Sequence, residues 1–142
     1  MGCSMYAVLQ KKDSSGKFET IDTDLLYLPS SGAREFNSFM GEHMKSGLPS
    51  GFTKESDGTV YYKDMFFGEH SFGSITLDAF CKVAVPRNDR ISIDTDEYGY
   101  RTIQIDPPYE GLYDTITALQ HAFDVLYHDN LSQYRLVVGY SS

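Results

Sequence analysis

The segment from Asp64 to Phe80 (DMFFGEHSFGSITLDAF) most constrains how this chain can fold. It opens with apolar residues typical of a buried strand end and continues through a glycine-flanked His-Ser pair. It then reaches Thr76, a residue type that often caps a helix N-terminus. Asp78 in the first turn favours that helix through the helix dipole. The segment therefore predicts a strand, a polar loop and a helix in close succession, and a site could be built on such a loop.

Length and composition indicate one domain. A chain of 142 residues with 41% hydrophobic residues can bury one core, and it has no apolar run long enough to span a membrane. The formal net charge of -8 makes direct binding to nucleic-acid phosphates unlikely, while DNA mimicry stays open. Cys3 and Cys81 are too few for a disulfide framework, and no secretory signal opens the chain, so we expect reduced cysteines and a cytoplasmic location.

Turn residues and apolar periodicity predict antiparallel strands and one helix in the first half. Ser4 to Lys12 and Lys17 to Asp22 are expected to form a hairpin. A helix should follow Gly32, because apolar residues recur there at helical spacing: Phe36, Phe39, Met40 and Met44. Lys45 to Gly58 has the composition of a loop, and Thr59 to Phe67 is expected to be one strand.

The second half predicts two more helices, a hairpin and a closing strand. The helix that Thr76 caps should end at Pro86, and its expected buried face is Leu77, Phe80, Cys81 and Ala84. Arg90 to Asp94 and Tyr100 to Asp106 should pair around Thr95 to Gly99. A helix from Tyr113 to His128 should bury Leu112, Ile116, Leu119, Phe123 and Leu126. Tyr134 to Tyr140 is apolar enough for a central strand.

These elements predict a single α+β domain covering residues 1–142. We expect a mostly antiparallel sheet packed with about three helices, and a mixed sheet stays an alternative.

Several stretches occur together, in order, over nearly the whole chain. They are the Cys3 strand with its hairpin to Phe18, Arg34 followed by Phe36 and Phe39, the loop Gly47-Leu48-Pro49, the pattern His70-Ser71 with Ile75-Thr76-Leu77, and the final strand Tyr134 to Tyr140. In this combination the chain resembles a family of accessory proteins of tailed phages and prophages. The resemblance implies a phage origin, the family fold and a location in the host cytoplasm. It implies no known reaction.

The chain departs from the family pattern at Phe72, Gly73 and Ser74, and Ser141 stands where Asp is common. If relatives use a His, Ser and Asp cluster, this chain has kept only His70 and Ser71. A His-Ser pair can act as a general base beside a hydroxyl, although adjacent side chains rarely point at one another. We therefore favour a structural role, in which the pair satisfies buried backbone groups where the strand passes into the helix.

Two arginines are expected at positions where a cation is unusual. Arg34 falls near a helix start, and Arg135 falls in an inner strand. Each either pairs with a buried carboxylate, which we favour, or binds an anion. No Gly-rich phosphate loop is present, and neither His121 with His128 nor the acidic hairpin around Asp94 has the spacing of a metal site, so we predict no cofactor and no metal.

The acidic, tyrosine-bearing stretch from Asp94 to Glu110 is the preferred interaction surface. Its candidate contact residues are Asp94, Asp96, Glu97, Tyr98, Tyr100, Tyr109 and Glu110.

We expect a non-enzymatic phage accessory protein that binds a host protein, for example a component of a defence system, and inhibits or modulates it. The alternative is a small hydrolase or nucleotide-binding protein with a pocket around His70, Ser71, Arg34 and Arg135. A virion component is a third hypothesis. The sequence leaves the oligomeric state open.

Overall fold

A computed structural model describes residues 3–23, 27–85, 91–105 and 111–142, and of residues 27–31, 91–94 and 101–105 it describes only the backbone. Within these residues the chain forms the predicted α+β fold. Every strand pairing among them is antiparallel, so the alternative of a mixed sheet is not supported.

The strands are β1 (Ser4–Lys12), β2 (Phe18–Asp22), β3 (Tyr27–Pro29), β4 (Lys45–Ser46), β5 (Thr53–Lys54), β6 (Val60–Tyr62), β7 (Met65–Gly68), β8 (His70–Thr76), β9 (Ile91–Thr95), β10 (Arg101–Ile105) and β11 (Tyr134–Ser141). The α-helices are α1 (Ser30–Met40), α2 (Leu77–Lys82) and α3 (Leu112–Tyr127). The main sheet has the order β2-β1-β11-β8-β4, with β3 also paired to β1. Strands β5-β6-β7 form a small second sheet, and β9 and β10 form a hairpin.

Strand β11 lies at the centre of the main sheet, between β1 and β8. Its residues Leu136, Val137 and Val138 are at most 1% exposed. Leu136 and Val138 face the core beneath the helices, and Val137 faces a second core beneath the small sheet. The apolar run is continuous because both faces of the strand are covered, which confirms the central position predicted from it.

The helices cover one face of the main sheet. Phe36 and Met40 of α1 and Ile116 and Phe123 of α3 are fully buried against it, as their spacing predicted. The prediction for Leu126 is wrong, because this residue is 62% exposed. The ring of Tyr127 stacks on Tyr134 with centroids 4.2 Å apart, so Tyr127 makes the contact with the sheet at this end of the helix.

Helix α2 is shorter than expected. Thr76 has the extended conformation of an N-cap, and Leu77 and Phe80 are buried. The helix ends at Lys82, so Ala84 lies beyond it and is exposed. Pro86 lies outside the described residues.

The small sheet covers the other face and corrects two predictions. Thr59 to Phe67 is a tight hairpin of β6 and β7 rather than one strand, because the chain reverses at Lys63, where φ is 52°. The expected loop from Lys45 to Gly58 contains β4 and β5. Val60 and Phe67 of this layer are fully buried, and they belong to the same cluster as Val137.

Two glycines allow β7 to approach β11 closely. A Cβ added to Gly68 would lie 2.6 to 2.8 Å from main-chain atoms of Tyr140. One added to Gly139 would clash with the carbonyl oxygen of Phe67 and would meet the rings of Phe67 and Phe72 at 2.8 to 2.9 Å. The Glu69 N–H then donates to the carbonyl of Tyr140 at 2.7 Å. This close approach sets where β8 starts, so the His-Ser pair opens a strand instead of lying in a loop.

Candidate functional site

His70 lies between two serine hydroxyls at the start of β8. Its Nδ1 is 2.9 Å from Oγ of Ser71, and its Nε2 is 3.0 Å from Oγ of Ser142. Because Tyr140 of β11 is the register partner of His70, the last residues of the chain run alongside the imidazole. We call His70, Ser71 and Ser142 the Ser-His-Ser cluster.

The backbone at Ser71 is unusual. Its φ is 59°, a left-handed conformation that few residues other than glycine adopt. The β8–β11 register also shifts between Val138 and Tyr140. In this irregular stretch the hydroxyl of Ser71 reaches the ring of its own neighbour, contrary to the expectation that adjacent side chains point apart. The ring of His70 is stacked on that of Tyr140, with centroids 6.3 Å apart and planes 20° apart.

A neutral imidazole has one nitrogen that donates a hydrogen bond and one that accepts. His70 can therefore donate to one serine hydroxyl and accept a hydrogen bond from the other. A histidine that accepts a proton from a serine can activate that serine toward an ester. The favoured structural interpretation of His70 and Ser71 is wrong in its detail. Both side chains are exposed, and they bond to each other and to Ser142 rather than to buried backbone groups.

Arg135 is held by a polar ladder across three strands. Its Nε donates to Oε1 of Gln10 at 2.8 Å, and Nε2 of Gln10 donates to Oγ1 of Thr20 at 3.1 Å. The guanidinium carbon lies 3.8 Å from the ring centroid of Phe18. The predicted pairing with a buried carboxylate is wrong for the residues that the structure describes, since Arg135 bonds to a buried amide and stacks on an aromatic ring instead.

Arg34 is exposed on α1 and lies in a different place. It borders an open groove of about 510 Å³ between α1 and the start of α3. The other residues that line this groove are Glu35, Ser38, Phe39, Leu112 and Tyr113.

The structure does not bring the four residues of the alternative pocket together. His70 is paired with Tyr140 and Arg135 with Thr76, which places the two side chains at opposite ends of the β8–β11 pair. Five residue steps along β11 separate these positions, roughly 17 Å at the usual rise of a strand. Arg34, Ser71 and Arg135 border three different depressions.

The hairpin tip, defined here as residues Thr95–Tyr100, has its shape set by Asp96. One carboxylate oxygen of Asp96 accepts the N–H groups of Tyr98 and Tyr100, both at 2.9 Å. Gly99 supplies the required positive φ of 84°. Asp96 therefore has a structural role, beside any role in contact with a partner. The acidic stretch around Asp94 forms a hairpin, as predicted.

Among the side chains that the structure describes, Tyr98 and Tyr100 are the most exposed large hydrophobic ones, at 78% and 73%. Glu97, which lies between Asp96 and Tyr98 in the chain, is also exposed. Of the other predicted contact residues, the side chain of Asp94 and the whole of Tyr109 and Glu110 lie outside the described residues. Tyr61, by contrast, is half-buried and packs edge-on against Phe66 with centroids 5.8 Å apart.

Within the described ranges, no group of three His, Cys, Asp or Glu side chains is arranged to hold a metal ion. No helix among these residues has the length and apolar character to cross a bilayer. Cys3 is buried and Cys81 is half-buried, and both are free thiols. Burial raises the pKa of Cys81 to about 11, which makes it a poor nucleophile.

Sequence reasoning missed Ser142 and Gln10. Ser142 is 72 residues from His70, and Gln10 is 125 residues from Arg135. The alternation of side chains along β1 could have predicted that Gln10 is buried, but no local pattern in the sequence predicts that Arg135 is its partner.

No protein-family model, curated protein or solved structure gives a significant match to this chain.

Proposed function

We propose that this protein acts by binding another protein through the hairpin tip. The observation that carries the proposal is the exposure of Tyr98 and Tyr100 at 78% and 73% on a turn whose conformation Asp96 fixes. Tyrosine is enriched among residues that dominate binding energy, and a preformed turn reduces the entropy lost on binding. The net charge of -8 and the exposed Glu97 favour a partner with a basic surface.

The wider setting rests on the resemblance to phage accessory proteins. We propose that the partner is a host protein, that binding inhibits or modulates it in the host cytoplasm, and that no reaction is catalysed. The acidic surface is also suited to a partner that normally binds nucleic acid, and in that case this protein would act as a DNA mimic.

The test is affinity capture from host cells followed by measurement of Kd with the purified partner. Replacing both Tyr98 and Tyr100 by Ser should weaken binding by at least roughly 30-fold, the effect of losing about 2 kcal/mol at a hot spot. Tyr113→Ser is the matched control, because this tyrosine is 41% exposed but lies on α3. Equal binding by the tip variant and the wild type would refute the proposal.

Charge is tested separately with Glu97→Lys. Reversing Asp96 would disrupt the turn as well as the charge, whereas Glu97 has an exposed side chain and its carboxylate does not hold the turn. Weaker binding by Glu97→Lys, with a steeper loss at low salt, supports a basic partner surface.

A second candidate function is ester hydrolysis at the Ser-His-Ser cluster. It is favoured by the 2.9 and 3.0 Å distances between His70 and its two hydroxyls and by the left-handed backbone of Ser71. His70→Ala should abolish hydrolysis of p-nitrophenyl acetate, while His43→Ala, which removes another exposed histidine, should leave the rate unchanged. Equal rates for both variants would exclude the cluster as a catalytic site.

A further inference from the structure

A depression of about 230 Å³ opens beside Ser71, on the face of the main sheet that the helices cover. Its floor is formed by β8 and β11, and its walls by α1 and the segment that joins α1 to β4. The ring of Phe72 lies on the opposite face, stacked on Phe67. We call this depression the Gly73 pocket. The residues that line it are all uncharged, and they are Asn37, Gly41, Met44, Ser46, Ser71, Phe72, Gly73 and Val138.

The strand register places the floor of the Gly73 pocket on one face of the sheet. Gly73 of β8 is opposite Ser46 of β4 and Val138 of β11, and directly opposed residues share a face. Val138 and Met44 both belong to the core beneath the helices. A Cβ added to Gly73 would lie 3.4 Å from the Cβ of Met44. The pocket is therefore open under Met44 because residue 73 has no side chain.

His70 lies on the same face as the pocket. Its ring stacks on that of Tyr140, which belongs to the core beneath the helices. Nδ1 of His70 is 2.9 Å from Oγ of Ser71, and Ser71 lines the pocket. Ser142, which lies on the Nε2 side of the ring, is not among the described residues that line it. The Ser-His-Ser cluster therefore meets the pocket through Ser71.

The left-handed backbone of Ser71 turns the chain sharply where β8 begins. The nucleophilic serine of α/β-hydrolases also lies at a strained turn, which exposes its hydroxyl at the end of a sheet. A strained residue other than glycine persists only where the surrounding structure holds it, and such residues cluster at functional sites. Of the two hydroxyls of the cluster, that of Ser71 therefore has the geometry of a nucleophile.

We propose, on the basis of the second candidate function, that Ser71 is the nucleophile and that the Gly73 pocket holds the acyl group of a short-chain carboxylic ester. The apolar surfaces of Met44 and Val138 suit an alkyl chain. The uncharged lining favours a neutral ester over a carboxylate or a phosphate, because an anion needs a counter-charge when it leaves water. The volume is below the range of about 300 to 1,000 Å³ usual for drug-sized ligands, so a short acyl chain fits and a long one does not.

His70 moves the proton in both halves of the reaction. Its Nε2–H donates to Ser142, which leaves Nδ1 to accept the proton of Ser71 as Oγ attacks the carbonyl carbon. The imidazolium then gives this proton to the departing alcohol oxygen, and the acyl group stays on Ser71. Water attacks the acyl group, loses a proton to Nδ1 and releases the carboxylic acid, while Oγ of Ser71 takes the proton back. Among the described residues that line the pocket, Asn37 alone has a side-chain N–H to offer to the carbonyl oxygen.

Hydrolysis of p-nitrophenyl acetate, butanoate and octanoate tests the pocket, with free imidazole as the reference for the intrinsic reactivity of each ester. Relative to imidazole, kcat/KM for the acetate and the butanoate should be at least roughly tenfold higher than for the octanoate. A chain-length profile equal to that of imidazole would refute the pocket.

Gly73→Ala tests the same point inside the protein. Gly73 lies outside the positive-φ region, and its added Cβ would have no neighbour closer than 3.4 Å, so the fold should be retained. The new methyl group narrows the pocket without touching the Ser-His-Ser cluster. It should lower kcat/KM for the butanoate roughly tenfold and change that for the acetate much less. An unchanged ratio of the two would refute the pocket.

Labelling with methanesulfonyl fluoride identifies the nucleophile, because this reagent transfers its sulfonyl group to an activated serine and releases fluoride. Mass spectrometry of the digested chain should locate the adduct on Ser71. His70→Ala should abolish the labelling, and His43→Ala, the matched control, should leave it unchanged. An adduct on Ser142 in place of Ser71 would overturn the assignment of the nucleophile.

The hairpin tip takes no part in this pocket, so the variant that replaces Tyr98 and Tyr100 by Ser should hydrolyse the esters at the wild-type rate. Absence of hydrolysis by the wild type would refute both the pocket and the second candidate function, and protein binding through the tip would stand. Hydrolysis that depends on His70 but shows no selection for chain length would refute the pocket alone.

Discussion

Gly68 is the last residue of β7, where the small sheet meets the central strand, and its replacement by alanine tests how the two layers fit. Its φ is +106°, and an added Cβ would lie 2.6 to 2.8 Å from the N, C and O atoms of Tyr140. These atoms belong to the main chain of a strand that is paired on both sides, so they cannot move aside as the end of a flexible side chain would.

The cost of Gly68→Ala has two separable parts. Holding alanine at this positive φ costs about 1 to 3 kcal/mol. Forcing a methyl group into a packed region costs about another 1 to 3 kcal/mol. The reduced freedom of alanine in the unfolded chain returns about 0.4 to 1 kcal/mol. We therefore expect the free energy of unfolding to fall by about 3 kcal/mol.

Equilibrium unfolding in urea measures this loss, and two other glycines separate its parts. Gly58 has a φ of +95° with no atom within 4 Å of an added Cβ, so Gly58→Ala should cost only about 1 kcal/mol. Gly139 lies outside the positive-φ region but is crowded by Phe67 and Phe72, so Gly139→Ala reports the crowding alone. If Gly68→Ala costs no more than Gly58→Ala, the inferred close approach of β7 to β11 is wrong.

Three further predictions follow from single contacts. Cys81, with its pKa raised by burial to about 11, should react with a thiol reagent at pH 8 far more slowly in the folded protein than in urea, as mass spectrometry of the labelled chain would reveal. The Ser15 hydroxyl, followed by the N–H of Lys17, holds the pKa of Asp13 below its ordinary value, so its ionised form stabilises the fold. Asp13→Asn should therefore lower the free energy of unfolding at pH 7 relative to the wild type, and this difference should shrink as the pH falls through the lowered pKa of Asp13. Urea unfolding of both proteins at pH 7 and below that pKa measures the difference. A difference that stayed constant would contradict the prediction. Phe123→Ala should cost about 3 to 5 kcal/mol in the same assay because this ring is buried against Phe80, whereas Leu126→Ala should cost less than about 0.5 kcal/mol.

Local sequence patterns predicted the elements that local interactions stabilise. The hairpin from Asp13 to Lys17 and the tip around Asp96 both close on an aspartate that accepts two backbone N–H groups, followed three residues later by a glycine with positive φ. Such turns can be read from the chain, because the residues that make the bonds are neighbours in sequence. Helix α3 and strand β11 were also predicted nearly to their ends, because their apolar periodicity is strong.

The β6–β7 hairpin could not be predicted from the sequence, because no residue at its turn signals a reversal of the chain. Its turn places Lys63 at a φ of 52°, a conformation for which the Lys-Asp pair has little preference. The β-branched and aromatic residues on either side therefore resemble one strand. The reversal is favoured because it lets Val60 and Phe67 both enter the core under the small sheet, which only the tertiary structure specifies.

The sequence by itself determined the fold class, the three helices, the hairpins closed by Asp13 and Asp96, and the exposed character of the acidic tip. The tertiary structure alone decided which distant side chains meet. It brought Ser142 to His70, placed Gln10 beside Arg135, and separated His70 from Arg135 along one strand pair. The physical reason is that element formation depends on neighbours within a few residues, whereas sheet order and register are set by the burial of both faces of β11, a property of the whole packed chain.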